Sequence, residues 1–147
     1  MEKKKSDVSV KIDADLASWY SERAGSVRAG CTMALEGWPT IMARELRHLR
    51  GAFEVAEANL ILDAANGLFL TGRLLGAHLV IEVRDHMELN GAAAHFGVDG
   101  DALMVRLGDL SPSQIAVLEW WAAWVWRSTG DENEWAARVK ELTGEEP

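Results

Sequence analysis

The feature that most constrains the fold is the segment 111–128, SPSQIAVLEWWAAWVWRS, which holds four of the seven tryptophans. Ser111 can cap a helix, Pro112 suits a first turn because its missing N–H costs nothing there, and Gln114 completes a capping-box spacing. A helical projection puts six apolar side chains on one broad face, namely Ile115, Leu118, Trp121, Ala122, Val125 and Trp126. Trp120 points away from that face. A helix this apolar is expected inside a bundle, so the sequence predicts a mainly α fold.

Length and cysteine content exclude several classes of protein. A chain of 147 residues is long enough for one core with a small appended module. It contains no apolar run of the roughly 18 residues that a bilayer span needs, so no membrane partner is expected. The opening MEKKKSDVSV lacks the apolar stretch of a signal peptide. Cys31 is the only cysteine, which excludes an internal disulfide and a cysteine-based zinc site and suits a reducing cytoplasm.

The net charge of −8 is unevenly distributed along the chain. Residues 1–50 contain nine Lys/Arg and seven Asp/Glu, a balance of +2, whereas residues 51–147 contain six and sixteen, a balance of −10. Phosphate would be repelled by the second part. If the protein binds nucleic acid, the first third of the chain is predicted to do so.

The segment 8–13, VSVKID, alternates apolar and polar residues with the period of a half-buried strand. Because a lone strand is unstable, its backbone groups need a partner. The favoured partner is the same strand of a second copy, which would form a twofold dimer. Pairing with 79–83 inside one chain, or disorder of the segment, remain as alternatives.

Helical patterns cover most of the remaining chain. A first helix is expected from a cap at Asp13 to Gly25, a second from Ser26 to near Gly37, and a third opening at Pro39. Further helices are predicted at 53–66, about 91–96, about 100–108, 111–128 and about 131–142. The segment 74–90 fits a helix ending at Asn90, although 79–83 also has strand character.

The sequence 8–38, VSVKIDADLASWYSERAG followed by SVRAGCTMALEGW, resembles the N-terminal module of ribbon-helix-helix repressors of the Arc/MetJ type. In that family, strands from two chains form a ribbon that enters the major groove of DNA. The resemblance implies that Ser9 and Lys11 read bases, and that Ser26 and Arg28 contact the phosphate backbone. Three further lysines are expected to add salt-dependent attraction to DNA, namely Lys3, Lys4 and Lys5.

A second stretch, LNGAAAHFGVDGDALMVRLGDL at 89–110, resembles a helix-turn-helix. Its second helix would present Asp99 and Asp101 to DNA, with Arg106 as its only cation. Because those carboxylates oppose phosphate, two packed helices joined by a tight turn are favoured over a DNA reader. The tail of the chain is also similar to small uncharacterised proteins of bacterial and prophage genomes, a resemblance that implies no mechanism.

Signals for catalysis are weak. His78, Glu82 and His86 would share one face of a helix and could hold a divalent metal, but a solvated face is the favoured interpretation. The sequence has neither a phosphate-binding glycine loop nor a serine nucleophile elbow. No enzyme activity, cofactor or metal is therefore predicted.

These patterns predict a strand-helix-helix unit at 1–38 for dimerisation and DNA binding, joined to an acidic helical bundle at 39–147. The leading function is a small DNA-binding transcriptional regulator that acts as a homodimer through its ribbon. The alternative is a protein-interaction or oligomerisation module without nucleic-acid binding, in which Trp120 contacts a protein partner.

Overall fold

The structure is a computed structural model that describes residues 4, 6–7, 9, 11–71, 78–127 and 132–145, and the side chains of all of these except 67–71 and 78. The described residues form eight α-helices: α1 Ala14–Ala24, α2 Val27–Leu49, α3 Val55–Thr71, α4 His78–Asn90, α5 Ala92–Phe96, α6 Gly100–Asp109, α7 Pro112–Arg127 and α8 Glu132–Thr143. The chain divides into two compact units, Met1–Ile41 and Met42–Pro147.

The predicted N-terminal strand is wrong. Ser9 and residues 11–13 belong to no strand, and the described part of the chain contains no sheet, while Val8 and Val10 lie outside the described residues. The alternative partner segment, 79–83, lies within α4, so within one chain the strand would have no ladder to join. The fold is therefore an all-α helical bundle, and the predicted ribbon has no support in it.

The chain between Ser26 and Leu49 forms one helix where the sequence predicts two. α2 runs for 23 residues with Pro39 in its interior. A proline at that position removes the N–H that would bond the carbonyl four residues earlier, and it usually bends or breaks a helix. Here the helix continues through it, so the break expected near Gly37 is wrong.

The core of the second unit forms around α3, which packs against α4, α5, α7 and α8. Its side chains at 60, 61 and 62 are all almost completely buried. Although α3 is the most apolar helix of the bundle, no helix of the described part is long and apolar enough to cross a membrane.

The tryptophan-rich segment forms α7 as the sequence predicts. The Ser111 hydroxyl accepts a hydrogen bond from the Gln114 N–H at 3.2 Å, and the Gln114 side chain accepts one from the Ser111 N–H at 2.9 Å. This reciprocal pair is the predicted capping box. Leu118 and Trp121 on the predicted face are fully buried, and the Trp121 indole N–H donates to a backbone carbonyl of α8 at 2.9 Å.

Candidate functional site

The first unit contains a helical hairpin, which we define as α1 together with α2 as far as Ile41. The Asp13 carboxylate caps α1 by accepting from the Leu16 N–H at 2.9 Å. α1 ends at Gly25, whose φ of 85° lies in the left-handed region that glycine adopts without strain. The Ser26 hydroxyl then accepts from the Ala29 N–H at 3.1 Å and starts α2. The predicted caps therefore set the chain reversal.

The contact between α1 and α2 depends on Gly30. A Cβ atom built at that position would lie 2.5 Å from Cδ1 and 2.6 Å from Cβ of Tyr20. Because these distances are shorter than any normal contact, only glycine allows the two helices to approach this closely. Among the described residues of the first unit, Gly30 is also the only buried one.

Four large apolar side chains of the hairpin are exposed, whereas Tyr20 and Trp38 are half-buried. Leu16, Trp19, Met33 and Leu35 are 42%, 48%, 66% and 75% exposed, and we call them the hairpin apolar set. The Arg23 guanidinium lies 4.4 Å from the centre of the Trp19 ring and covers part of one face. A hairpin with a glycine as its only buried residue gains little free energy from burial within its own chain.

The residues predicted to contact DNA are separated in the structure. Lys4, Ser9 and Lys11 are exposed in the non-helical segment that precedes α1. Ser26 and Arg28 lie together at the start of α2, where the Ser26 hydroxyl already caps the helix and Arg28 is exposed. The remaining two predicted residues, Lys3 and Lys5, lie outside the described residues.

The segment that resembles a helix-turn-helix folds as α5, a left-handed turn at Gly97 and α6. Its only cation, Arg106, forms an ion pair with Glu57 on α3. Glu57 is 3% exposed, and its other carboxylate oxygen accepts from the Glu54 N–H at 2.9 Å. This ion pair therefore connects α6 with the first turn of α3. Sequence reasoning missed Glu57, because an acidic residue in a first turn gives no sign of a distant partner.

The histidines considered as metal ligands are not arranged as such. His86 Nε2 lies 2.6 Å from an Asp63 carboxylate oxygen on α3, and the Asn90 side-chain amide lies 2.9 Å from His86 Nδ1. The side chain of His78 lies outside the described residues, and within the described part no group of three His, Cys, Asp or Glu could hold a metal ion. No sequence pattern indicated the contact with Asp63, because this residue lies on another helix.

α7 carries two neighbouring residues with opposite environments. Trp120, predicted to point away from the core, is 40% exposed. Glu119 is 1% exposed, and its carboxylate accepts from the Leu79 N–H at the start of α4 at 3.4 Å. Sequence reasoning missed this buried carboxylate, although a helical projection places Glu119 beside Trp126 at the edge of the apolar face. A carboxylate at a helix N-terminus satisfies backbone N–H groups that have no partner within the helix.

No protein-family model, curated protein or solved structure matches the chain. The hairpin apolar set exposes four large apolar side chains in a unit whose described residues bury only Gly30. It is therefore the candidate functional site.

Proposed function

We propose that the protein is an oligomerisation module without catalytic activity, and that a second copy of the chain covers the hairpin apolar set. The observation that carries this proposal is the burial pattern of the hairpin, which is the reverse of that in a packed core. Four of the hairpin's large apolar side chains are exposed, whereas among its described residues only Gly30 is buried. Exposed apolar surface of this extent on a soluble domain usually marks an interaction site.

The exposed area is compatible with part of a stable interface. With side-chain areas of roughly 150–250 Å², the exposed fractions of the hairpin apolar set amount to about 450 Å². A standard interface takes about 800 Å² from each partner. Met33 and Leu35 are two residues apart and therefore lie on opposite sides of α2, so a single interface would use only part of this apolar area, and polar surroundings would supply the rest.

The distribution of charge favours a second copy as the partner. Residues 1–41 contain six Lys/Arg and six Asp/Glu, whereas residues 42–147 contain nine and seventeen. Two first units can therefore meet without net repulsion, while two second units, each with a balance of −8, repel each other. A twofold arrangement also presents the same apolar set from both chains, which is the usual geometry of homodimers.

The test compares two leucines that are similarly exposed. Leu35 belongs to the hairpin apolar set, whereas Leu89, at the end of α4, is 81% exposed and lies in the second unit. Burying Leu35 in both chains should contribute at least about 3 kcal/mol, so Leu35→Gln should weaken dimerisation about 100-fold. Leu89→Gln should leave the dimer unchanged.

Sedimentation equilibrium from about 1 to about 200 µM measures the dimer dissociation constant directly. Circular dichroism of each variant controls for loss of helix. A wild-type protein that stays monomeric at the highest concentration would overturn the proposal. So would an equal weakening by Leu35→Gln and Leu89→Gln, because the association would then not depend on the hairpin.

DNA binding is a second candidate, and it is favoured by the exposed cations of the first unit. Lys4, Lys11 and Arg28 are all exposed, and they precede a strongly acidic second unit that phosphate would avoid. This candidate requires no strand. A gel shift with random duplex at two salt concentrations tests it: Lys11→Ala should weaken a salt-sensitive complex, and the absence of any complex at low salt would exclude the candidate.

A further inference from the structure

The second unit contains a shallow, open cavity, and half of its six described lining residues are aromatic. Its volume is about 230 Å³, and its lining residues come from four helices: Asn59, Leu62, Asp63, Phe96, Trp126 and Trp135. Three of these side chains are aromatic and only one, Asp63, carries a formal charge. The cavity therefore combines apolar walls with a single negative group.

The two tryptophans form a corner of fixed geometry. Their ring centres lie 5.2 Å apart, and the ring planes are 89° to each other. The Trp126 indole N–H donates to the Leu62 carbonyl oxygen at 2.9 Å, which fixes the rotation of that ring. In this T-shaped pair the edge of one indole meets the face of the other, and indole faces that remain open attract cations.

The charge of Asp63 is held in place by the contact with His86. The Asn90 side-chain amide contacts the other ring nitrogen of His86, so the imidazole is held between Asn90 and the Asp63 carboxylate. The described lining residues include no Lys or Arg that would neutralise the Asp63 carboxylate.

We propose that this cavity binds the trimethylammonium group of a small organic cation. A trimethylammonium group has no N–H groups to satisfy, so aromatic walls can surround it without loss of hydrogen bonds. A primary ammonium group would give up hydrogen bonds with water that the three aromatic side chains cannot accept, and only Asp63 and Asn59 could replace some of them. Asp63 supplies the counter-charge, and the acidic second unit adds long-range attraction for a cation.

A comparison of choline with a neutral isostere tests whether the cavity recognises the positive charge or only the apolar shape. In the isostere, a tert-butyl group replaces the trimethylammonium group of choline. Titration calorimetry and saturation-transfer NMR of the methyl protons should give a choline dissociation constant of the order of 1 mM. The isostere should bind at least about tenfold more weakly. Trimethyllysine as the free amino acid forms a second arm: binding about tenfold tighter than choline would identify a modified lysine as the source of the group.

Two variants with matched controls assign the site. Asp63→Asn should weaken choline binding about tenfold, whereas Asp109→Asn, at the exposed end of α6, should not. Trp135→Leu should weaken it similarly, and Trp135→Phe should restore part of the affinity. Equal binding of choline and its isostere would overturn the proposal. So would unchanged affinity in Asp63→Asn, or no detectable wild-type binding at about 50 mM choline.

Discussion

Replacing Arg106 by methionine should destabilise the second unit by about 2–3 kcal/mol, because it leaves the Glu57 carboxylate buried without its cation. Glu57 lies in the first turn of α3, and its side chain is 4% exposed. Methionine keeps most of the length and apolar volume of the arginine stem, so packing changes little. The variant therefore tests the charge contact between α6 and α3.

The magnitude follows from the environment of the two side chains. Opposite charges in contact attract by about 4 kcal/mol at an effective dielectric constant near 20. The Arg106 side chain is 41% exposed, so water screens part of that attraction and takes it to about 2–3 kcal/mol. In a unit of roughly 100 residues, a loss of this size lowers the melting temperature by about 8–15 °C.

A double-mutant cycle separates the ion pair from the loss of side-chain contacts. Glu57→Gln keeps an oxygen that can accept from the Glu54 N–H and leaves a half-exposed Arg106, so it should cost only about 1 kcal/mol. The double variant should be nearly as stable as Glu57→Gln alone. Urea unfolding followed by circular dichroism measures all three free energies. The control is Arg84→Met, because this arginine pairs with its neighbour Asp85 at the surface.

Two outcomes would refute this reasoning. If Arg106→Met lowers the free energy of unfolding by less than about 0.5 kcal/mol, as expected for Arg84→Met, the pair contributes nothing beyond a surface contact. If the double variant loses the sum of the single effects, Arg106 and Glu57 act independently.

Two further comparisons use neighbouring residues with contrasting environments. Trp121→Ala should lower the free energy of urea unfolding by about 3–5 kcal/mol, because a fully buried indole is lost. Trp120→Ala should lower it by less than half of that, since this residue is 40% exposed. Equal losses would contradict the described packing. Gly30→Ala should displace Tyr20 and destabilise the hairpin by about 1–3 kcal/mol, which circular dichroism would measure as lost helical ellipticity. Gly37→Ala should raise the helix content instead, because nothing lies within 4 Å of the new Cβ atom.

Local signals predicted the helices that have strong caps. The ends of α1 follow from Asp13 and Gly25, and the capping box of α7 is formed by the two residues that the spacing indicated. The ambiguous 74–90 segment is helical from His78 to Asn90. In these places the residues that fix the structure are neighbours in sequence, so a periodic pattern and a cap are sufficient.

Signals that depend on distant partners failed or were missed. The alternation at 8–13 shows which side chains a strand would bury, but a strand also needs a second strand to bond with. The break predicted near Gly37 and Pro39 took account of the hydrogen bond that a proline removes. It did not take account of the helix-favouring residues on both sides of the proline. The contacts of Glu57 with Arg106 and of Asp63 with His86 join different helices, so no spacing in the sequence could reveal them.

Pro39 has a further consequence for how disorder spreads through the protein. Helix melting is cooperative, so fraying that begins at one end of a helix normally advances turn by turn. α2 carries the chain from the first unit into the second, and Pro39 interrupts its ladder of hydrogen bonds just before that boundary. Unwinding that starts at Val27 therefore meets a turn that lacks one hydrogen bond, and the turns that bury Leu46 and Leu49 can keep their own hydrogen bonds. Amide exchange along α2 should consequently be fast before the proline and slow after it, and proteases should cut this helix on its N-terminal side first.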